Sequence, residues 1–235
     1  MKKDIIHEDN SCKKGFTLAE VLITLGIIGV VAAMTLPVLI QKYNKIVWYT
    51  QFRKAASQLE QALKLYQIDR GCEGDISECV NIGHGNFELP MDIPNFAKDL
   101  MSYFDGAQEI TADNYNQICA GYNKRPAKGG YYENCCYPQW SFEPHAWISK
   151  DGALYALGLD EGVGNGYVLD VNGPNKGPNE FGRDIFVFYM RYEKEDPDGI
   201  VWGGFPKYNE HCDPHNVEDR YGCAAKLLSE GKMNY

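Results

Sequence analysis

One carboxylate stands inside a long apolar run near the amino terminus of this 235-residue chain. Glu20 is the only charged residue between Phe16 and Ile40, and a helix over these residues would be roughly 37 Å long, enough to cross a bilayer. A carboxylate at mid-bilayer costs on the order of 2.5 to 3.5 kcal/mol and is usually retained for a partner. We therefore expect Glu20 to form an ion pair with a cation that the apolar run does not contain.

Cleavage of the chain close to Glu20 would create such a cation. Gly15 follows two lysines, and a cut between Gly15 and Phe16 would place a new amino group four residues before Glu20. A conventional secretory signal has an apolar core of roughly 7 to 15 residues, which is shorter than this run. A plain membrane anchor explains the length of the run but neither the glycine nor the glutamate.

The sequence Gly-Phe-Thr-Leu-x-Glu before an apolar run resembles the class III signal of type IV pilins and type II secretion pseudopilins. This resemblance implies that a prepilin peptidase cuts after Gly15 and methylates the amino group of Phe16. It also implies that Glu20 pairs with the amino terminus of a neighbouring subunit during assembly. Pro37 falls where many type IV pilins also carry a proline. The resemblance is strongest from Lys13 to about Tyr66.

The function implied by the resemblance is that of a structural filament subunit, and not of an enzyme. Its implied partners are other pilin or pseudopilin subunits, prepilin peptidase, an inner-membrane assembly platform, and membrane lipid before assembly. The implied location is the bacterial inner membrane, crossed once with the head outside the cytoplasm, and then the filament. A minor secretion pseudopilin, a competence or adhesion pilin, and a membrane-anchored binding module that never polymerises all stay open.

The resemblance and the residue pattern together imply four segments: a leader at 1–15, a transmembrane and assembly helix at 16–40, an amphipathic extension at 41–70 and a head at 71–235. Pro37 cannot donate a backbone hydrogen bond, so a kink is expected there. In the extension, apolar residues recur at the three- and four-residue spacing of one helical face. These residues are Phe52, Ala55, Ala56, Leu59, Ala62, Leu63 and Tyr66.

The predicted fold class is α+β, with the long helix packed on a small antiparallel sheet. Runs of branched and aromatic residues predict strands, and Lys150-Asp151-Gly152 predicts a tight turn between the first two of them. Short helices are expected at 92–104 and 224–230, whereas the rest of 71–145 has little periodicity. The four predicted strands are Ala146–Lys150, Ala153–Gly158, Tyr167–Val171 and Ile185–Tyr192.

Seven of the eight cysteines lie beyond the leader, which indicates an oxidising compartment. Their spacing predicts two local disulfides, Cys72 with Cys79 and Cys212 with Cys223. Cys119, Cys135 and Cys136 then leave one odd thiol, whose identity stays open. Zinc binding near Cys212 is an alternative, but Pro214 would interrupt the helix needed to align its ligands. The ligands in that alternative would be His211, Cys212, His215 and Cys223.

The segment Asp170–Asp184 combines turn-forming residues with oxygen-bearing side chains. Calcium takes six to eight oxygen ligands, so this loop is a candidate calcium site, and some major pseudopilins bind calcium in a comparable loop. The alternative is a turn whose side chains bind its own backbone. No other cofactor is expected. The candidate ligands are Asp170, Asn172 and Asp184, with Asn175 and Glu180 as further candidates.

Nucleic-acid binding and catalysis both have little support. Lys124, Arg125 and Lys128 alternate with tyrosines between Tyr122 and Tyr132, a pattern that can bind single strands. However, the mature chain would carry 19 basic and 29 acidic residues, which disfavours a polyanionic partner. The chain has no Gly-x-Ser-x-Gly, phosphate-loop or His-Glu-x-x-His motif. No nucleic-acid partner is therefore expected.

Overall fold

The computed structural model describes residues 15–72, 76, 79, 93–111, 113–124, 145–157, 166–190, 200–202, 212–213 and 222–235. The chain divides into two compact units, residues 1–44 and residues 45–235. Most of the predicted leader, most of the Tyr122–Tyr132 loop, and the side chains of His211 and His215 lie outside the described residues.

The architecture is α+β, as predicted: a long amino-terminal helix and an antiparallel sheet like those of pilins. The helices are α1 (Leu18–Arg70), α2 (Ile93–Met101), α3 (Tyr115–Ile118), α4 (Ala120–Lys124) and α5 (Cys223–Glu230). The strands are β1 (Gln108–Ile110), β2 (His145–Ile148), β3 (Leu154–Leu157), β4 (Gly166–Asp170), β5 (Ile185–Met190) and β6 (Ile200–Trp202).

The amino-terminal part of helix α1 lies in the first unit. Its large apolar side chains before residue 41 are exposed, and Pro37 lies within the helix. Because Pro37 has no backbone N–H, the carbonyl of Ala33 lacks its usual helical donor. The kink at Pro37 stays a prediction. The helix ends as predicted before Gly71, whose φ of 75° is accessible to glycine at little cost.

In the second unit, α1 packs on one face of the sheet. The predicted apolar face is confirmed, since all seven of its residues are buried. The rings of Phe52 and Phe186 lie 4.6 Å apart, and the hydroxyl of Tyr155 donates to the carbonyl of Ala55 at 3.2 Å. Burial of such side chains, about 1.5 to 3 kcal/mol each, holds this part of α1 to the sheet.

The sheet is an antiparallel meander in the order β1-β2-β3-β4-β5-β6. The four predicted strands are confirmed, with ends shifted by one or two residues. The predicted turn between β2 and β3 is also confirmed: the N–H of Gly152 donates to the carbonyl of Ser149 at 2.8 Å, and Gly152 has a φ of 92°. Strands β1 and β6 extend the sheet at its two edges and were absent from the prediction.

A second core covers the opposite face of the sheet. Ile118 from α3, Tyr122 from α4 and Cys119 between the two helices pack there with Leu154 and Val168. The sequence interpretation placed loops in this region, so the second core is a correction. Helix α4 approaches the β4–β5 loop closely, because a Cβ on Gly121 would lie 1.8 Å from the carbonyl oxygen of Pro174.

Covalent and polar contacts stabilise the second unit. Disulfides join Cys72 to Cys79 and Cys212 to Cys223. Cys119 is also disulfide-bonded. The ammonium group of Lys45 donates to the carbonyl oxygen of the final residue, Tyr235.

Candidate processing and assembly site

The Gly15–Phe16 bond lies in exposed chain just before α1 begins at Leu18. Phe16 is 89% exposed, and among the described residues no heavy atom other than those of Gly15 and its chain neighbours lies within 4 Å of the position that a Cβ on Gly15 would take. A peptide bond outside regular structure can enter a peptidase active site without unfolding a helix. The geometry is therefore compatible with cleavage after Gly15.

Glu20 closes a capping box with Thr17 at the start of α1. The backbone N–H of Thr17 donates to Glu20 Oε2 at 2.9 Å, and the Thr17 hydroxyl donates to the same oxygen at 2.8 Å. In return, the N–H of Glu20 donates to Thr17 Oγ1 at 3.3 Å. Such reciprocal bonds satisfy backbone donors that the first turn of a helix leaves unpaired.

The capping box gives Glu20 hydrogen-bond donors but not a counter-charge. No ion pair of Glu20 is found within the described part of the chain, and its side chain is exposed. The sequence interpretation missed Thr17, although Thr-x-x-Glu before an apolar run is a recognisable capping signal. The arrangement holds the carboxylate beside the backbone of residue 17, next to the amino group that cleavage after Gly15 would create.

Helix α1 could cross a membrane by its length and composition. The apolar stretch near its start is not buried by other parts of the protein. A buried core helix would pass a test of composition alone, but its side chains would be covered. The exposure of this stretch fits a single-pass, membrane-anchored protein.

Residues 10–36 match the family model of the prokaryotic N-terminal methylation motif. This chain carries a class III prepilin signal. The match spans the candidate cleavage bond, the capping box and most of the apolar stretch. A prepilin signal implies processing by prepilin peptidase and assembly with other pilin-like subunits. It indicates a family of structural subunits and not of enzymes.

The chain has no match among curated proteins or solved structures. The prepilin signal covers only the amino-terminal part of the chain. Candidate sites in the second unit must therefore be inferred from the structure of that unit. The loop between β4 and β5, residues 171–184, was its main candidate site.

Two buried aspartates organise the β4–β5 loop. Asp170 Oδ1 accepts the N–H groups of Asn172 and Gly173 at 3.2 and 2.8 Å, and its Oδ2 accepts the hydroxyl of Tyr122 at 2.7 Å. Asp184 accepts the N–H groups of Asn179 and Glu180 at 2.9 and 2.7 Å. The side-chain amide of Asn172 also donates to Asp184, at 3.3 Å. Both carboxylates thus bind the backbone of their own loop.

This geometry matches the self-binding turn that was the alternative to a calcium site. Among the described residues, no three acidic, histidine or cysteine side chains are grouped as a metal site would require. The side-chain oxygen of Asn172 is nevertheless buried with no hydrogen-bond partner among the described residues. An unpaired oxygen beside two carboxylates is the kind of ligand that calcium prefers, so calcium at Asp170, Asn172 and Asp184 stays a prediction.

The calcium prediction is tested by thermal unfolding of the purified chain in calcium and in chelator. If the loop binds calcium, we expect saturating calcium to raise the melting temperature. Calcium at 100 times its Kd would add about 2.7 kcal/mol to the free energy of unfolding. Asp184→Asn should abolish that shift. Magnesium at the same concentration is the control. Equal melting temperatures in calcium and chelator would contradict the prediction.

Burial and the nearby charge of Asp184 raise the pKa of Asp170, and burial raises the pKa of Asp184. Above the ordinary aspartate pKa of about 4, the folded chain therefore holds protons that the unfolded chain has released. We expect the unfolding free energy to fall as pH rises from that value through the raised pKa values. The slope should approach about 1.4 kcal/mol per pH unit for each proton.

Denaturant titration in chelator at a series of pH values measures this slope. In Asp170→Asn, the remaining oxygen can still accept the N–H groups of Asn172 and Gly173, and the new amide can donate to Tyr122. The substitution therefore keeps the hydrogen bonds and removes the charge, so the slope should flatten. An unchanged slope in this variant would exclude Asp170 as its source.

Two other candidates change once the structure is known. Tyr122, at the start of the loop that was considered and disfavoured as a nucleic-acid site, is buried in the second core, so its ring is not available for base stacking. The zinc alternative is wrong for Cys212 and Cys223, because both sulfurs are held in a disulfide.

Proposed function

We propose that this chain is a minor structural subunit of a type II secretion pseudopilus or a type IV pilus-like filament, processed by prepilin peptidase after Gly15. The prepilin signal, which contains an exposed Gly15–Phe16 bond, is the observation that carries the proposal. The chain is inserted in the bacterial inner membrane with its second unit outside the cytoplasm. An assembly platform then moves it into the filament.

The capping box supports the assembly step of this proposal. After cleavage, the methylated amino group of Phe16 is a cation in apolar surroundings, and Glu20 is an anion in the same surroundings. Pairing these groups between adjacent subunits removes the penalty that each would carry alone. Because Thr17 already holds the Glu20 carboxylate near the helix start, little side-chain freedom is lost when the contact forms.

Mass spectrometry of the amino terminus, combined with shearing of filaments from cells, tests the proposal. We expect the mature chain to begin with N-methylated Phe16 and to appear in the sheared fraction. Gly15→Leu should block cleavage and leave the full-length chain in the membrane. Gly26→Leu is the control, because it makes the same substitution away from the cleavage bond, and at either glycine a Cβ meets open space among the described residues.

The outcomes separate the alternatives. An amino terminus other than Phe16 contradicts processing by prepilin peptidase. Cleavage at Phe16 without any mature chain in the sheared fraction favours a membrane-anchored binding module. An adhesion or competence pilin is favoured by two results together. The chain is present in sheared filaments, and cells that lack the chain secrete normally but lose adhesion or DNA uptake.

A further inference from the structure

A cleft of about 400 Å³ opens on the surface of the second unit, and its volume is within the range of small-ligand sites. One wall is α1 between residues 54 and 65, a length of about 16 Å. The other wall consists of residues 103–105, which follow α2, and residues 149–151, at the turn between β2 and β3. The cleft contains no residue of the processing and assembly site or of the β4–β5 loop.

Ion pairs and hydrogen bonds hold the two walls together. The ammonium group of Lys54, on α1, lies 2.7 Å from a carboxylate oxygen of Asp151 in the opposite wall. Further along α1, Asp69 accepts the hydroxyl of Tyr103 at 2.7 Å. A ligand therefore meets a cleft that is already formed, and little conformational freedom of the protein is lost on binding.

The charges in the cleft balance one another. Lys54 and Asp151 pair with each other, whereas Lys150 and Asp105 have no ion pair among the described residues of the second unit. Lys150 lies beside Gly106, the neighbour of Asp105, because a Cβ on Gly106 would be 3.4 Å from Lys150 Cδ. With two lysines and two aspartates, the cleft favours neither an anion nor a cation, so an uncharged ligand fits it best.

Two side-chain amides on α1 supply further polar groups. Gln58 is half-buried beside the hydroxyl of Tyr155, at 3.3 Å, and the amide of Gln61 donates to Ser57 Oγ, also at 3.3 Å. An amide side chain has two N–H donors and a carbonyl acceptor, so each glutamine keeps hydrogen-bonding capacity beyond this one bond. The ligand should therefore carry both donors and acceptors.

The exposed apolar surface of the cleft is small. Ala62 and Phe104 are buried, whereas Leu65 is 47% exposed. The recurring modes of peptide binding need a free strand edge, a long apolar groove or a row of aromatic rings. The lining residues lie in α1 and in connecting segments, so they present no strand edge. A compact ligand with a small apolar group suits this cleft better than a peptide.

We propose that the cleft binds an uncharged oligosaccharide of N-acetylated amino sugars. An acetamido group has an N–H, a carbonyl and a methyl group, which complement the amides of Gln58 and Gln61 and the side chain of Leu65. Sugar hydroxyls both donate and accept, so they can bind Lys150 and Asp105 together. The choice of sugar rests on the proposed function, because that function places the second unit outside the cytoplasm, where the bacterial wall contains such sugars.

Isothermal titration calorimetry of the purified full-length chain with chitotriose tests the proposal. The detergent should have no sugar head group, because such a head group would compete. We expect saturable binding with a Kd on the order of 0.1 to 1 mM, as for a small ligand with few contacts. Cellotriose has the same linkage but a hydroxyl in place of each acetamido group, so it should bind at least about tenfold more weakly.

Two variants locate the binding. Gln61→Ala and Leu65→Ala should each weaken chitotriose binding about three- to tenfold, since each removes a contact with the acetamido group. Gln117→Ala and Ile68→Ala are the matched controls, because both residues are exposed and neither lines the cleft. The controls should bind within about twofold of the unchanged chain. Equal melting temperatures of the four variants show that folding is not the cause.

Three results overturn the inference: no saturable binding of chitotriose, equally tight binding of cellotriose, or unchanged binding in both Gln61→Ala and Leu65→Ala. If chitotriose does not bind but these two substitutions lower the amount of chain in sheared filaments, the cleft holds a segment of another subunit instead. Cleavage and filament entry play no part in the calorimetry. Failure of the proposed function is therefore detected separately, by the amino-terminal mass and the sheared fraction.

Discussion

Replacing Glu20 with alanine is expected to leave cleavage after Gly15 largely intact and to lower incorporation into filaments at least about tenfold. In the proposed function the peptidase acts before assembly, at a bond outside α1, whereas the carboxylate is needed when subunits meet. Without it, the amino group of Phe16 in the adjacent subunit stays unpaired in apolar surroundings, at a cost of about 3 to 5 kcal/mol. The measurement compares the amounts of mature chain in sheared filaments and in membranes.

Glu20→Gln separates the charge from the helix cap. A glutamine carbonyl can still accept the N–H and hydroxyl of Thr17, which Glu20 Oε2 accepts at 2.9 and 2.8 Å. It cannot neutralise an amino group. We therefore expect Glu20→Gln to be as defective as Glu20→Ala within about twofold. If Glu20→Gln assembles normally, the capping box and not the ion pair is what assembly requires.

The parts of the fold that could be predicted are those with long, regular patterns. Helix α1 has 53 residues, so its apolar spacing repeats many times. The glycine that follows it has a positive φ, and a glycine in that position indicates the end of a helix. The central strands are four to six residues long and rich in branched or aromatic side chains. In both cases the local pattern and the packing favour the same structure.

The missed parts are short elements whose stability comes from distant neighbours. Strands β1 and β6 have three residues each, too few for an alternating pattern. Helices α3 and α4 have four and five residues, and they form where Ile118 and Tyr122 can pack on the second face of the sheet. Which face a strand residue occupies depends on register, and register depends on partners that the local sequence does not identify.

The candidate sites divide in the same way. Glu20 was evident because a charge in an apolar run is costly, and Thr17 could have been found from the capping signal. The role of Asp170 and Asp184 could not be predicted from the sequence, because the same carboxylates can bind calcium or backbone N–H groups. Only the observed hydrogen bonds, from Gly173, Glu180 and others, show that these oxygens bind backbone N–H groups of the loop.

Gly121→Ala is expected to lower the unfolding free energy of the second unit by about 3 kcal/mol or more, the upper range for overpacking. The added Cβ would lie 1.8 Å from the carbonyl oxygen of Pro174 and 2.7 Å from the Cα of Asn175. These are backbone atoms that cannot rotate away, so α4 must retreat from the β4–β5 loop. That movement would pull Tyr122 from the second core and lengthen its hydrogen bond to Asp170, which is 2.7 Å.

Gly152→Ala is the matched control for this effect, measured by denaturant titration of both variants. A Cβ on Gly152 meets no atom within 4 Å, but its φ of 92° strains any other residue, at about 1 to 2 kcal/mol. Gly152→Ala therefore introduces backbone strain without a clash, whereas Gly121→Ala introduces a clash without that strain. A loss at Gly121 that is no larger than the loss at Gly152 would mean that α4 and the loop do not meet in this way. A larger loss assigns the difference to the clash, and so to the contact that holds the second core against Asp170.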